Sequence, residues 1–417
     1  MEEKGNGATT PIKKDGAVET SDEYLKLRLK GKGEDPRVCN GVIQINEDRK
    51  LTHSFGENYF QPTRLEVEEF RNEIRDFCHD SPPDIIIPMH EKGSEVSSVL
   101  NYLTGIMAEP KNIIVVNDRS SQKAIQTVQR FDVTLVDRDD LLDMIKWREL
   151  FPILGINQRP YSKGVAVLAG YLLTYLKTKL LDRKIVWVFQ HDAEIEQCDK
   201  YSSLEYLVWG ILNSGDKDIF KIAKWGRNNE ISMAARNAAY IISRIDSLDE
   251  KVRKQAEMLF LRMVGHKWML TGEFGMEFSK AMERSFLSGY LEETFMSMIF
   301  PFNKVVQIAN PNPRLDLCNE YRKEFVMMQT ISNFIIWMCL SDTFNPDNIT
   351  IDSIANINNK GVLSGSFKMG WIPVGEEPVC GEEVTNEKMI PSIKMMDKLG
   401  LIDWDTAKKV LKKYNIV

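Results

Sequence analysis

The chain has 417 residues, 43% hydrophobic and 27% charged, with a formal net charge of -6. That length allows one large α/β domain with an appended piece, or two domains, and the composition is ordinary for a globular protein. The acidic balance, with no broad basic face, argues against a general nucleic-acid binder.

Residues 1–35 are rich in Lys, Glu, Gly and Thr and poor in large apolar side chains, so a disordered polar tail is expected. Leu65, Val67, Phe70, Ile74 and Phe77 recur at helical spacing between Thr63 and Phe77. An α/β section follows. The run Asp84 to Met89 is unbroken, apolar and β-branched, as in a strand covered on both faces. Glu95 to Met107 reads as a helix, Asn112 to Asn117 as a second strand, and Asp118 to Ser121 as a polar turn. A helix over Ala124–Arg130, a strand over Val133–Val136 and an amphipathic helix over Val165–Leu181 lead to the strand Ile185 to Gln190. Such alternation implies a mostly parallel sheet with helices on both faces, and ligands in such sheets lie beyond the carboxyl ends of the strands. Past residue 300 Pro301, Pro311 and Pro313 break the pattern. Helices are expected over Asn319–Leu340 and Met389–Tyr414, with a loop-rich stretch between them. The expected division is therefore 1–35 as tail, 36–300 as the ligand-binding domain and 301–417 as a mainly helical region. Six scattered cysteines without a CxxC pair fit reduced thiols, and no apolar stretch matches a signal peptide or a membrane span of roughly 20 residues. A cytoplasmic protein is expected.

The polar clusters fall where those strands end. His191, Asp192, Ala193 and Glu194 close an apolar run with two carboxylates that can turn toward one cation, and hard oxygen ligands suit Mg²⁺ or Mn²⁺. Either acid could instead cap the next helix. Pro88-Met89-His90-Glu91 and Asn117-Asp118 end the first two strands; a carboxylate there can bond a ribose or base edge, or simply cap a turn. Lys163-Gly164 precedes a helix, where a lysine and free backbone N–H groups favour an anion, although a surface lysine reads the same way. Lys224 to Glu230 offers Arg227 for a two-pronged contact, and Thr271-Gly272-Glu273 reads as a tight turn opening a helix.

Read in order, IIIPMHEKG, SKG, HDAE, WGRNNE and TGEF resemble motifs of the retaining glycosyltransferases of the GT-A fold. The mannosyl- and glucosyl-3-phosphoglycerate synthases are the nearest of these. The resemblance runs from about Asp84 to Arg314. It implies a GT-A, Rossmann-like sheet with a C-terminal helical region, and transfer of a hexose from a nucleoside diphosphate sugar to a small acceptor such as 3-phosphoglycerate, with retention. By the same resemblance Pro88, His90, Glu91 and Asp118 face the nucleoside, and Lys163 and Gly164 the base and diphosphate. Asp192, Glu194 and Asn312 stand at metal positions, Arg227 and Thr271 orient the acceptor, and Glu273 borders the transferred sugar. Two residues depart from the pattern: Glu194 replaces a second aspartate, and Asn312 stands where a histidine ligand is usual. A homodimer is one expected use of the C-terminal region. Two rivals are a nucleotidyltransferase, whose Gly-rich loop after the first strand is missing here, and a catalytically silent nucleotide-sugar-binding or scaffold protein, which Asn312 motivates.

Overall fold

The computed structural model describes residues 59–60, 62–91, 93–157, 159–160, 163–193, 203–215, 217–223, 238–265, 272–289, 291–300, 304–309, 349–359 and 388–416. An eight-stranded sheet organises them. Its strands are β1 (Tyr59–Phe60), β2 (Asp84–Met89), β3 (Ile113–Asn117), β4 (Thr134–Asp137), β5 (Trp187–Gln190), β6 (Ile219–Ala223), β7 (Phe274–Glu277) and β9 (Val305–Ala309), in the order β1-β9-β6-β7-β5-β2-β3-β4. Every pairing is parallel except the two made by β7, which runs antiparallel to both β5 and β6. The mostly parallel sheet expected from the alternating pattern is present. Strand β9 lies past residue 300 and still belongs to it.

Period-two alternation sorts the strand side chains onto two covered faces. Ile85, Ile87 and Met89 join Val115, Phe189, Phe220, Ile222 and Ile308 in one core. Helix α1 (Arg64–Glu69), α2 (Arg71–Asp80), α3 (Gly93–Ile106), α4 (Gln122–Val128) and α8 (Ser203–Ser214) each place apolar side chains there. Ile86 points the other way, toward α7 (Lys163–Leu180), which packs on β2 and β3. Gly170 makes that packing possible, since a Cβ there would stand 2.3 Å from Ile86 Cγ2. Burial on both faces explains why β2 and β3 read as continuous apolar runs.

Short helices α5 (Arg138–Leu142) and α6 (Trp147–Leu154) follow β4. The helix expected over Thr63–Phe77 is two helices. Thr63 starts the first with a capping box to Glu66, but Phe70 leaves helical geometry, and Leu65 is exposed rather than buried.

Further on are α9 (Glu250–Gly265), α10 (Phe278–Glu283), β8 (Phe286–Leu287), α11 (Glu292–Ile299) and α12 (Ile351–Asn359). The expected helix over Met389–Tyr414 begins instead with strand β10 (Met389–Ile390), paired antiparallel with β8. Helices α13 (Ile393–Lys398) and α14 (Trp404–Lys413) come after it, started by Ser392 and Asp403 as N-caps. This C-terminal segment returns to the main body. Lys146 donates its N–H to Leu401 O at 2.9 Å, and Asp403 donates to Met144 O at 2.7 Å. The polar tail and the expected Asn319–Leu340 helix lie outside the described residues. Among the described residues, no helix is long and apolar enough to cross a membrane.

Candidate active site

Two groups of polar side chains gather at the carboxyl edge of the sheet, on adjacent strands. The first stands where β5 ends. His191 donates its N–H to Ile86 O at 2.9 Å, so the chain leaving β5 stays beside β2. Its ring is 2% exposed, with Nδ1 2.8 Å from Asp192 O, the place of a structural histidine. Asp192 follows, 4% exposed. Lys163, on the first turn of α7, places Nζ 2.6 Å from Asp192 Oδ1 and 2.5 Å from Glu293 Oε1 on α11. The lysine side chain keeps 22% of its surface exposed, so this trio lies at the rim of the core rather than inside it. Burial opposes the ammonium charge, but Asp192 and then Glu293 outweigh it and hold the lysine well above its ordinary range. Lys163 is a cation at every physiological pH.

Two glycines fit backbone around this group. A Cβ on Gly272 would stand 2.0 Å from Asp192 Cγ, so the turn before β7 lies directly against the carboxylate. A Cβ on Gly164 would stand 1.9 Å from Leu287 O, so the start of α7 rests on the backbone of β8. Val165 donates its N–H to Ser288 O at 3.1 Å and seals that contact. Glu273 is fully buried and leads into strand β7, not into a helix as the sequence suggests. Glycine at 272 and 275 reads as a turn signal, whereas Phe274 and Met276 in the core impose the strand.

The second group joins the ends of β2, β3 and β4. His90 Nδ1 lies 2.6 Å from Asp118 O, and Ser120 Oγ donates to Met89 O and accepts from Glu91 N–H, both at 3.1 Å. Asn117 Oδ1 accepts from Ser120 N–H at 2.9 Å, and its Nδ2 donates to Asp137 Oδ1 at 2.5 Å. Asp118 is engaged by the buried guanidinium of Arg138, which also reaches Asp139 at 3.1 Å. Glu91 and Arg119 hold left-handed backbone at φ 52° and 57° without being glycine, conformations that persist where the surroundings over-determine them. Pro88 is half-buried within β2, and His90 and Glu91 are exposed.

Of the residues singled out from sequence, the fold thus unites Lys163, Gly164 and Asp192, and beside them His90, Glu91 and Asp118. Glu194, Arg227, Thr271 and Asn312 lie outside the described residues. Glu293 escaped the sequence reading because an acid in a helix's first turn normally signals a favourable dipole interaction. Asp192 supplies a hard oxygen donor suited to Mg²⁺ or Mn²⁺. Among the described residues, however, no three His, Cys, Asp or Glu side chains cluster closely enough to hold a metal by themselves.

No protein-family model and no curated protein matches the chain. Solved structures do match. The glucosyl-3-phosphoglycerate synthase of Mycobacterium tuberculosis in complex with phosphoglyceric acid superimposes with a TM-score of 0.50 at 13% identity, covering 69% of this chain and 89% of that one. The same enzyme without a named ligand gives 0.48 at 13% identity over 69% and 89%. Its complex with Mn²⁺ and uridine-diphosphate-glucose gives 0.48 at 14% identity over 68% and 87%. A central, mostly parallel sheet with one antiparallel strand and helices on both faces, superimposed over most of such an enzyme, gives this chain the GT-A fold.

Proposed function

We propose that the protein is a glycosyltransferase moving a hexose from a nucleoside diphosphate sugar, UDP-glucose or GDP-mannose, to a small acceptor such as 3-phosphoglycerate, with retention. The observation that carries this reading is Lys163 at the start of α7, 2.6 Å from Asp192 at the end of β5, with Gly272 packed on that carboxylate. A fixed cation beside a hard-oxygen donor at the carboxyl edge of an α/β sheet suits a diphosphate bridged to a divalent metal. The likeness in fold to an enzyme named for glucosyl transfer to phosphoglycerate supports the choice of reaction class.

In this reading Asp192 holds the metal, with Glu194 and Asn312 supplying further oxygens. The cation, when bound, neutralises charge developing on the departing diphosphate. Lys163 stays charged and shifts from its carboxylate partners toward the diphosphate oxygens. Glu91, with Pro88, His90 and Asp118, borders the nucleoside, and Gly164 lets backbone approach the diphosphate. Arg227 and Thr271 orient the acceptor, and Glu273 stands next to the transferred sugar. A silent nucleotide-sugar-binding module is the second reading, favoured by Asn312 in place of a histidine.

Incubation with each donor, 3-phosphoglycerate and Mg²⁺ or Mn²⁺ should release nucleoside diphosphate and form a phosphorylated glycoside with unchanged anomeric configuration. Asp192→Ala should lower turnover by at least about a hundredfold, the scale of losing one charge-stabilising group. Donor binding without turnover across a panel of acceptors would select the silent module instead.

A further inference from the structure

The last helix touches the strand-end network described above. Tyr414, just past α14, accepts the backbone N–H of Asp137 at 3.0 Å, bonds the Asp140 carboxylate, and lies 3.3 Å from Asp137 Oδ2. From there the hydrogen bonds continue without a gap. Asp137 Oδ1 takes Asn117 Nδ2 at 2.5 Å, Asn117 Oδ1 takes Ser120 N–H at 2.9 Å, and Ser120 Oγ takes Glu91 N–H at 3.1 Å. One phenol is thereby linked to the ends of β4, β3 and β2 in turn.

We propose that Tyr414 is a positioning residue for the nucleoside side of the donor site: its hydroxyl fixes the end of β4 and, through Asn117 and Ser120, the turns that carry Asp118 and Glu91. This rests on the reading of that edge as a nucleoside diphosphate site. Two observations set Tyr414 apart from a mere anchor for the C-terminal helix. The helix has anchors of its own, in the Lys413–Asp140 ion pair and in the backbone bonds from Lys146 to Leu401 and from Asp403 to Met144. The turns at the far end of the chain of bonds are also the places where Glu91 and Arg119 hold left-handed backbone, and such conformations need external support. A hydroxyl that both accepts a backbone N–H and donates to a carboxylate can support them from a distance.

The test compares wild type, Tyr414→Phe and Lys413→Met by calorimetric titration with UDP and with GDP in the presence of Mn²⁺, alongside thermal unfolding. Tyr414→Phe keeps the ring and should weaken nucleotide binding about three- to tenfold, inside the roughly two- to thirtyfold span of coupling effects from residues away from a ligand. Lys413→Met removes an anchor of the same helix and should lower the unfolding temperature with the dissociation constant unchanged. If Tyr414→Phe does not fold, hydrogen exchange on wild type decides the matter. Coupling is reciprocal, so nucleotide should slow exchange at 137–140 and at 411–416 together. A wild type that binds neither UDP nor GDP sinks the donor-site reading and this inference with it. Nucleotide binding by wild type, with Tyr414→Phe within twofold of it or with no added protection at 411–416, overturns the role of Tyr414 alone.

Discussion

At the scale of single residues, the two glycines beside the Lys163–Asp192 pair separate packing from chemistry. A methyl on Gly164 meets the carbonyl oxygen of Leu287, part of a paired backbone that cannot turn aside. Gly164→Ala should therefore lower stability by about 1–3 kcal/mol, the usual cost of overpacking, measured by urea unfolding. A methyl on Gly272 meets the end of the Asp192 side chain, which can move. Gly272→Ala should lower kcat/KM by displacing the carboxylate from Lys163; unaltered kinetics would remove Asp192 from the proposed site. Asp192 and Lys163 were each legible in the sequence as types, an acid after an apolar strand and a lysine before a helix. Their pairing was not, because 29 residues separate them and only the β5–β2 register and the placement of α7 bring them together. Glu293 was hidden more deeply, since an acid opening a helix already has a sufficient local explanation.

At the scale of elements, strands built on a continuous, largely apolar and β-branched run are legible in the sequence, and strands whose run is interrupted are not. β2 and β3 are centred on the runs Ile85-Ile86-Ile87 and Ile113-Ile114-Val115-Val116, so pattern alone located them. β6 and β9 carry Lys221 and Gln307 in fully buried positions, and β7 contains a glycine, so each broke the apolar run that signals a covered strand. β10 is two residues long and owes its existence to β8, a contact across a hundred residues that local propensity cannot foresee. The docking of α14 gives a testable consequence. Asp140 is half-buried, and burial is the strongest single influence against its charge, but the hydrogen bonds from Lys413 and Tyr414 and the Lys413 charge together hold it below its ordinary 3.8. A carboxyl depressed in the folded state contributes stability above the unfolded value and loses it as pH falls through the folded one. Asp140→Asn should therefore be less stable than wild type at pH 7, with the gap closing as pH drops below 3.8. A gap that stays constant down to pH 3 would show that the carboxylate charge contributes nothing to docking.

At the scale of the whole molecule, the polar clusters at the carboxyl edge of the sheet have a buried counterpart at its amino edge. Asp84 begins β2 at that opposite edge and is fully buried. Lys177 Nζ reaches its two oxygens at 2.8 and 3.0 Å, and Arg183 joins at 2.8 Å. These charges tie the end of α7 to the start of the strand at the centre of the fold, far along the helix from Lys163. Breaking a buried pair by removing one partner strands the other charge and typically costs about 3–5 kcal/mol. Asp84→Asn should show a loss of that order in urea unfolding, with KM for the donor unchanged at a temperature where the variant stays folded. The pH dependence identifies the cause. Burial already holds Lys177 below its ordinary 10.5, with Asp84 acting against that fall. Without Asp84 the lysine's folded value drops further, so between that value and 10.5 the unfolded chain binds more protons than the folded one. Stability then rises with pH across this window, whereas wild type shows the same rise only above its own, higher folded value, so the variant's deficit shrinks as pH climbs from the variant's folded value to the wild type's. A deficit independent of pH would mean that lost packing, not a stranded ammonium, is what Asp84 prevents.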